Sequence, residues 1–120
     1  MKKILIVDDN AGMRRLLNIT LSNDYETLEA SDGLDAIAMA QLHKPDAVLL
    51  DIMMPGECDG LKVLEAIKKN PLLKQTLVIM VTARGQAADC LKGQDRGADA
   101  YFVKPFSPLK VVRWLSEKLA

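Results

Sequence analysis

Asp8-Asp9, Asp51, Thr82 and Lys104-Pro105 each stand directly after a short apolar run, and together they offer three carboxylates, a hydroxyl and an ammonium. Brought to one place, three carboxylates repel and raise one another's pKa unless positive charge sits among them. A hard divalent cation answers that need. Mg²⁺ takes oxygen ligands, commonly one or two carboxylates plus waters and a substrate phosphate, which suits Asp9 and Asp51 with Asp8 behind them. Lys104 adds a point charge able to hold an anion, and Thr82 adds a hydroxyl donor. A carboxylate beside such an anion site can itself attack phosphorus, giving an aspartyl phosphate, and phosphoryl transfer depends on positive positioning of this kind. Each group also has a plain structural reading. Asp8-Asp9-Asn10 is a capping cluster, Asp51 before Met53-Met54-Pro55-Gly56 is a turn opener, and Thr82 is a cap or turn residue.

The elements that must position these groups follow from the hydrophobic pattern. Ile4–Val7, Ala47–Leu50, Leu77–Val81 and Ala100–Val103 are continuous apolar runs, as expected of parallel strands covered on both faces. Glu26–Ala30 mixes polar and apolar residues and reads as an edge strand. Between the strands lie helical stripes: Met13, Leu16, Leu17, Thr20 and Leu21; then Leu34, Ile37, Ala38 and Leu42 after the Ser31-Asp32-Gly33 turn; then Leu61, Leu64, Ile67 and Lys68, stopped by Pro71. A fourth helix over about 86–96 is interrupted by Gly93. The last starts at Ser107 as cap and Pro108 at the first helical position, with Leu109, Val112, Leu115 and Leu119 inward. This alternation predicts an α/β fold with a parallel sheet, whose ligand crevice lies outside the carboxyl ends of the strands. Four of the five strands deliver a chemically useful side chain to that rim; the second delivers only Ser31-Asp32.

Length and composition bound the function. The 120 residues make one domain, 1–120, and 16 basic against 16 acidic residues argue against binding nucleic acid or an anionic membrane through bulk charge. The run Leu77–Val81 is too short to span a bilayer. Cys58 and Cys90 form neither a Cys-x-x-Cys motif nor a set with histidines, so no zinc site or disulfide framework is expected, and the chain reads as cytoplasmic. His43, the only histidine, falls in a helix-to-strand loop and reads as an exposed bystander. Trp114 sits off the centre of the last helix's inner stripe and reads either as an interface anchor or as a tryptophan at the edge of the core.

Taken in order, Ile-Val-Asp8-Asp9, Leu-Leu-Asp51-Ile-Met-Met-Pro55, Val-Thr82-Ala83 and Gly97-Ala-Asp-Ala-Tyr101-Phe-Val-Lys104-Pro105-Phe106 resemble the response-regulator receiver domains of two-component signalling across the whole chain. The resemblance implies a flavodoxin-like (βα)5 doubly wound sandwich with strand order 2-1-3-4-5. It implies that Asp51 accepts a phosphoryl group from a phosphohistidine on a sensor histidine kinase or phosphotransfer protein. Asp9, Asp51 and the Met53 carbonyl would ligate Mg²⁺, with Asp8 acting through water. Lys104 would contact the phosphoryl oxygens, and its bond to Pro105 would be cis. Thr82 would move towards the phosphoryl group as Tyr101 turns inward, shifting the face made by the fourth helix, fifth strand and fifth helix to control a downstream target, an output domain or a phosphorylation-dependent homodimer. Such a chain is a signalling phosphoacceptor rather than an enzyme, with no other cofactor.

The match has one departure. Pro55-Gly-Glu-Cys-Asp-Gly60 carries one residue more than the family's usual Pro-Gly-x-Asp-Gly. Met53 offers no polar side chain to orient attacking water, so slow autodephosphorylation is expected; a phosphoryl lifetime of seconds, read by loss of label after donor removal, would contradict it. Two alternatives stand against this reading, of which the flavin-binding module shares the topology. A Mg²⁺-dependent phosphatase of the haloacid-dehalogenase type also uses an aspartate nucleophile at a strand end, but its Asp-x-Asp motif is broken here by Met53. A flavin module would want a Ser/Thr/Gly-rich phosphate loop where this chain has Asp8-Asp9, and no nucleotide P-loop occurs. No helix-turn-helix segment follows the last helix, so direct DNA binding is not expected of this chain, which suits either a single-domain regulator or the amino-terminal piece of a longer one.

Overall fold

In the computed structural model, residues 1–52, 60–83, 97–104 and 106–119 are described. The apolar runs form five strands: β1 (Lys3–Val7), β2 (Glu26–Ala30), β3 (Ala47–Asp51), β4 (Leu77–Ala83) and β5 (Ala100–Lys104). All pair in parallel, in the order β2-β1-β3-β4-β5. This is the flavodoxin-like arrangement expected. The order reverses direction between β1 and β3, so the crevice opens where Asp8-Asp9 leave β1 and Asp51 ends β3.

Strand residues alternate between two cores. Leu5, Val7, Val48, Leu50, Val78 and Met80 pack on one face of the sheet under α2 (Gly33–His43) and α3 (Gly60–Lys69). Ile4, Ile6, Ala47, Leu49 and Ile79 pack on the other, under α1 (Ala11–Leu21) and the carboxyl-terminal helix α4 (Pro108–Lys118). A 3-10 turn at Pro71–Leu73 follows α3, where proline stops the helix as expected. Among the described residues no helix is long and apolar enough to cross a membrane.

The helices form where the stripes predict them, but two present another face. In α2 the buried residues are Gly33, Ala36 and Ala40, while Leu34, Ala38 and Leu42 face solvent and Ile37 is half-buried. Small residues let this helix lie close on the sheet beside α3, and the leucines are turned away. In α4 the inner residues are Val111 and Leu115; Val112 and Leu119 sit at the flanks and Leu109 is exposed. Leu16 of α1 is likewise exposed, and in α3 Val63 fills the core where Lys68 was expected. Lys68 instead bridges to Asp99 at 2.9 Å and donates to the Thr76 carbonyl, closing the sheet rim opposite the crevice.

His43 is the last residue of α2 and half-buried, not part of an exposed loop. Ser107 occupies the cap position of α4 and Pro108 the first turn, yet the serine side chain makes no capping bond. Trp114 packs partly buried on the core edge, with the Lys118 ammonium 5.9 Å from its ring centre. The predicted helix over 86–96, Cys58, Cys90 and the loop with the extra residue lie outside the described residues.

Candidate functional site

β1 runs straight into Asp8, which is buried, and then Asp9, which is exposed. The turn between them and α1 is held by local bonds: Asp8 Oδ1 accepts from the Asn10 amide at 2.9 Å, and Asn10 caps α1 by accepting from the Met13 amide at 3.0 Å. The capping reading of this cluster therefore holds as well, with Asn10 as the cap and both aspartates left facing the crevice. Asp51, the last residue of β3, is buried too and pairs in register with Val81.

Oxygen atoms of Asp8, Asp9 and Asp51 all lie within 4.8 Å of one another. Lys104, at the end of β5, reaches across to place its Nζ 3.2 Å from Asp8 Oδ2 and 3.5 Å from Asp51 Oδ2. Burial pulls the Lys104 pKa down, but the Asp51 and Asp8 carboxylates push it up by more, so the ammonium titrates above the ordinary lysine value of 10.5. Four of the five residues that sequence reasoning assigned to the crevice, Asp8, Asp9, Asp51 and Lys104, are thus together. Thr82 ends up two strands from β1, in register with Val103, and Tyr101 is half-buried in β5 against the core on the α2–α3 side. Met53 and Pro105, and with it the cis bond assigned to Lys104-Pro105, lie outside the described residues.

Two contributors were not foreseen. Arg14, in the first turns of α1, donates from Nη1 to the Asp8 carbonyl at 2.6 Å while its Nε pairs with Glu29 of β2 at 3.2 Å. It anchors the strand end that carries the two aspartates. Gly60, the first residue of α3, donates its amide to the Ile52 carbonyl at 3.0 Å. A methyl group there would collide with the Asp51 carbonyl oxygen and lie 2.6 Å from the Ile52 Cα, so the close approach of α3 to the end of β3 requires glycine.

The donor set fits a hard divalent cation. Three carboxylates face one ammonium among the described residues, which leaves the cluster with excess negative charge, and every oxygen offered is of the type Mg²⁺ prefers. Binding a cation there would stabilise the fold by about 2.7 kcal/mol at roughly 100 times its Kd. We expect the melting temperature to rise by roughly 10 °C in saturating Mg²⁺. Asp9→Ala removes an exposed carboxylate of this cluster at little structural cost and should abolish the rise; thermal scans with and without Mg²⁺ check this, and an unchanged response in the variant would contradict it.

A family model of the response regulator receiver domain matches residues 4–115. The chain belongs to that family. Among curated relatives, the receiver is 46% identical over 111 residues to the transcriptional regulatory protein ResD of Bacillus subtilis, covering 92% of this chain and 45% of that protein. It is 43% identical over 111 residues to the transcriptional regulatory protein SrrA of Staphylococcus aureus, covering 92% and 44%. The chain therefore spans somewhat under half the length of the curated relatives it matches. Among solved structures, the chemotaxis response regulator CheY4 of Vibrio cholerae superposes with a TM-score of 0.89 at 31% identity, covering 98% of both chains. The receiver domain of NtrX from Brucella abortus gives 0.87 at 34%, covering 97% of both. The receiver is a two-component signalling domain, and the haloacid-dehalogenase alternative finds no support in these matches.

Proposed function

We propose that residues 1–120 form one receiver domain in which Asp51 accepts a phosphoryl group from a phosphohistidine on a sensor histidine kinase or phosphotransfer protein. The observation that carries the proposal is the buried pair of Asp8 and Asp51 bridged by the Lys104 ammonium at 3.2 and 3.5 Å, with Asp9 beside them. An Asp51 oxygen attacks phosphorus, the P–N bond breaks, and its electron pair leaves on the imidazole nitrogen, which takes up a proton. The product is an acyl phosphate. Lys104 orients the incoming phosphoryl oxygens and offsets their charge in a crevice already rich in carboxylate. Asp9, Asp51 and the Met53 carbonyl would hold Mg²⁺, with Asp8 behind; when bound, the ion supplies further positive charge to the transferring group.

Thr82 and Tyr101 are the proposed switch pair, linking the crevice to the face built on β5 and α4. Consumption of the phosphoryl signal is by a binding event at that face: a downstream protein, an output domain or a phosphorylation-dependent homodimer. The names of the relatives support control of transcription as the output, and the cytoplasm is the compartment proposed for it. The test is the intact mass of the protein after incubation with acetyl phosphate and Mg²⁺. One labile phosphoryl adduct is expected in the wild type and none in Asp51→Ala; an adduct of equal yield in both would overturn the assignment.

A further inference from the structure

The edge strand β2 carries polar residues where the inner strands carry apolar ones, and those residues form a chain of bonds that ends at the crevice. Leu28 and Ala30 pack on the core under α2 and α3. Thr27 and Glu29 alternate with them and face α1. Thr27 donates to Asn18 Oδ1 at 3.1 Å, Asn18 donates from Nδ2 to Glu29 Oε2 at 2.9 Å, and Glu29 Oε1 accepts from Arg14 Nε at 3.2 Å. Arg14 Nη1 then donates to the Asp8 carbonyl at 2.6 Å.

Asp8 is gripped at every polar atom. Its amide donates to the Ala30 carbonyl, its Oδ1 accepts from the Asn10 amide, its Oδ2 accepts from Lys104, and its carbonyl accepts from Arg14. The bond from Arg14 bears on Asp9 as well. The Asp8 carbonyl and the Asp9 amide belong to one rigid plane, so fixing the carbonyl fixes the direction in which the chain enters Asp9. The ladder pairs of β1 end at Val7, and beyond them Arg14 holds that plane. Asp9 is exposed, yet one of its oxygens lies within 4.8 Å of those of Asp8 and Asp51.

Glu29 has a second effect. A bare guanidinium beside a cation site would repel the cation; paired with the Glu29 carboxylate, Arg14 brings a directional donor to the strand end with its charge offset. Lysine offers one point of contact, whereas the arginine fork bonds the carbonyl through Nη1 and Glu29 through Nε.

We propose that Arg14, held by Glu29, is a positioning residue for cation binding: it sets the Asp8–Asp9 peptide so that Asp9 joins Asp8 and Asp51 in one cation site. The inference rests on the reading of the crevice as a Mg²⁺-dependent phosphoacceptor site, and adds two residues that act on that site through its backbone. The sign of one substitution separates the possible roles. Arg14→Met removes positive charge near a cation site, so a role through charge alone predicts tighter binding. A role in overall stability alone predicts unchanged affinity in the folded protein. Positioning predicts weaker binding, by about 10–100-fold, the range found when a group that orients a metal ligand is removed.

The probe is Mn²⁺, which shares the oxygen preference of Mg²⁺; it is titrated into the 120-residue chain and the free ion is counted by electron paramagnetic resonance. Arg14→Met should raise the Kd, and Arg14→Lys should not restore it. Glu29→Gln should raise it by less, and should add nothing in the Arg14→Met background, because Glu29 acts through Arg14. Lys69→Met, which breaks the exposed pair with Glu65 on α3, should keep the wild-type value. In phosphorylation by acetyl phosphate, the half-saturating Mg²⁺ concentration should rise in the same order while the rate at saturation falls less, since Asp51 and Lys104 are untouched. Circular dichroism melts identify the variants folded at the assay temperature. Unchanged or tighter Mn²⁺ binding in folded Arg14→Met or Glu29→Gln, restoration by Arg14→Lys, or losses that simply add in the double variant would overturn the positioning role. A wild type that binds no Mn²⁺ and forms no phosphoryl adduct would overturn the reading of the crevice itself, and this inference with it.

Discussion

Replacing Lys104 by methionine is expected to slow phosphorylation by acetyl phosphate by about 10²–10³-fold, the range found when one preorganised charge-stabilising group is removed from a reacting site. The reason lies in the count of charges. Asp8 and Asp51 are 3% and 6% exposed, and the ammonium of Lys104 touches both. Without it the crevice presents carboxylates to an anionic substrate. Arginine should not restore the rate, because its planar fork is longer and differently shaped than a point charge. The same substitution should lower the melting temperature, since two buried carboxylates lose their counter-ion, and Mg²⁺ should recover part of the loss.

The pH dependence of this effect has a definite sign. The folded-state pKa of Lys104 lies above its unfolded value of 10.5, so folding favours the protonated form. Its contribution is fully present below about pH 10.5 and disappears as pH rises through the folded-state value. The difference in melting temperature between wild type and Lys104→Met should therefore be flat across neutral pH and shrink only in strong alkali. A difference that vanished between pH 7 and 9 would contradict the pairing.

Gly60→Ala is expected to cost about 3 kcal/mol, which is roughly 10 °C in melting temperature for a domain of this size. The added methyl meets backbone rather than a pliable side chain: the Asp51 carbonyl oxygen on one side and the Ile52 Cα, 2.6 Å away, on the other. Neither can yield without moving the end of β3 or the start of α3. Because the displaced backbone includes the carbonyl group of Asp51 itself, the folded fraction of the variant should also phosphorylate more slowly. A thermal scan showing no loss would mean that α3 does not approach β3 as closely as described.

The inner strands β1, β3 and β4 were legible in the sequence because burial on both faces leaves an unbroken apolar run with a polar residue at its end, whereas the edge strand β2 showed a mixed pattern. Helix faces were less so. Periodicity in α2 marks a ridge of leucines, but whether that ridge or the Gly33–Ala36–Ala40 ridge lies on the sheet depends on the space beside α3, which no local pattern records. The crevice residues Asp8, Asp9, Asp51 and Lys104 could be read because strand ends converge in a parallel sheet. Arg14 and Gly60 could not, since each matters through a contact with another element's backbone. A basic residue one turn into the first helix, able to reach back to the strand end, was the available signal for Arg14. For Gly60 the sequence offered a glycine among several turn residues and no sign that it abuts Asp51.

The most direct test is to locate the phosphoryl group. Protein phosphorylated in Mg²⁺ is reduced with borohydride, which converts a phosphoaspartate to homoserine, and the altered residue is found by peptide mass spectrometry. The account predicts conversion at residue 51 alone, dependent on Mg²⁺. Conversion at Asp8 or Asp9, or at no aspartate in a protein that carries the adduct, would contradict it.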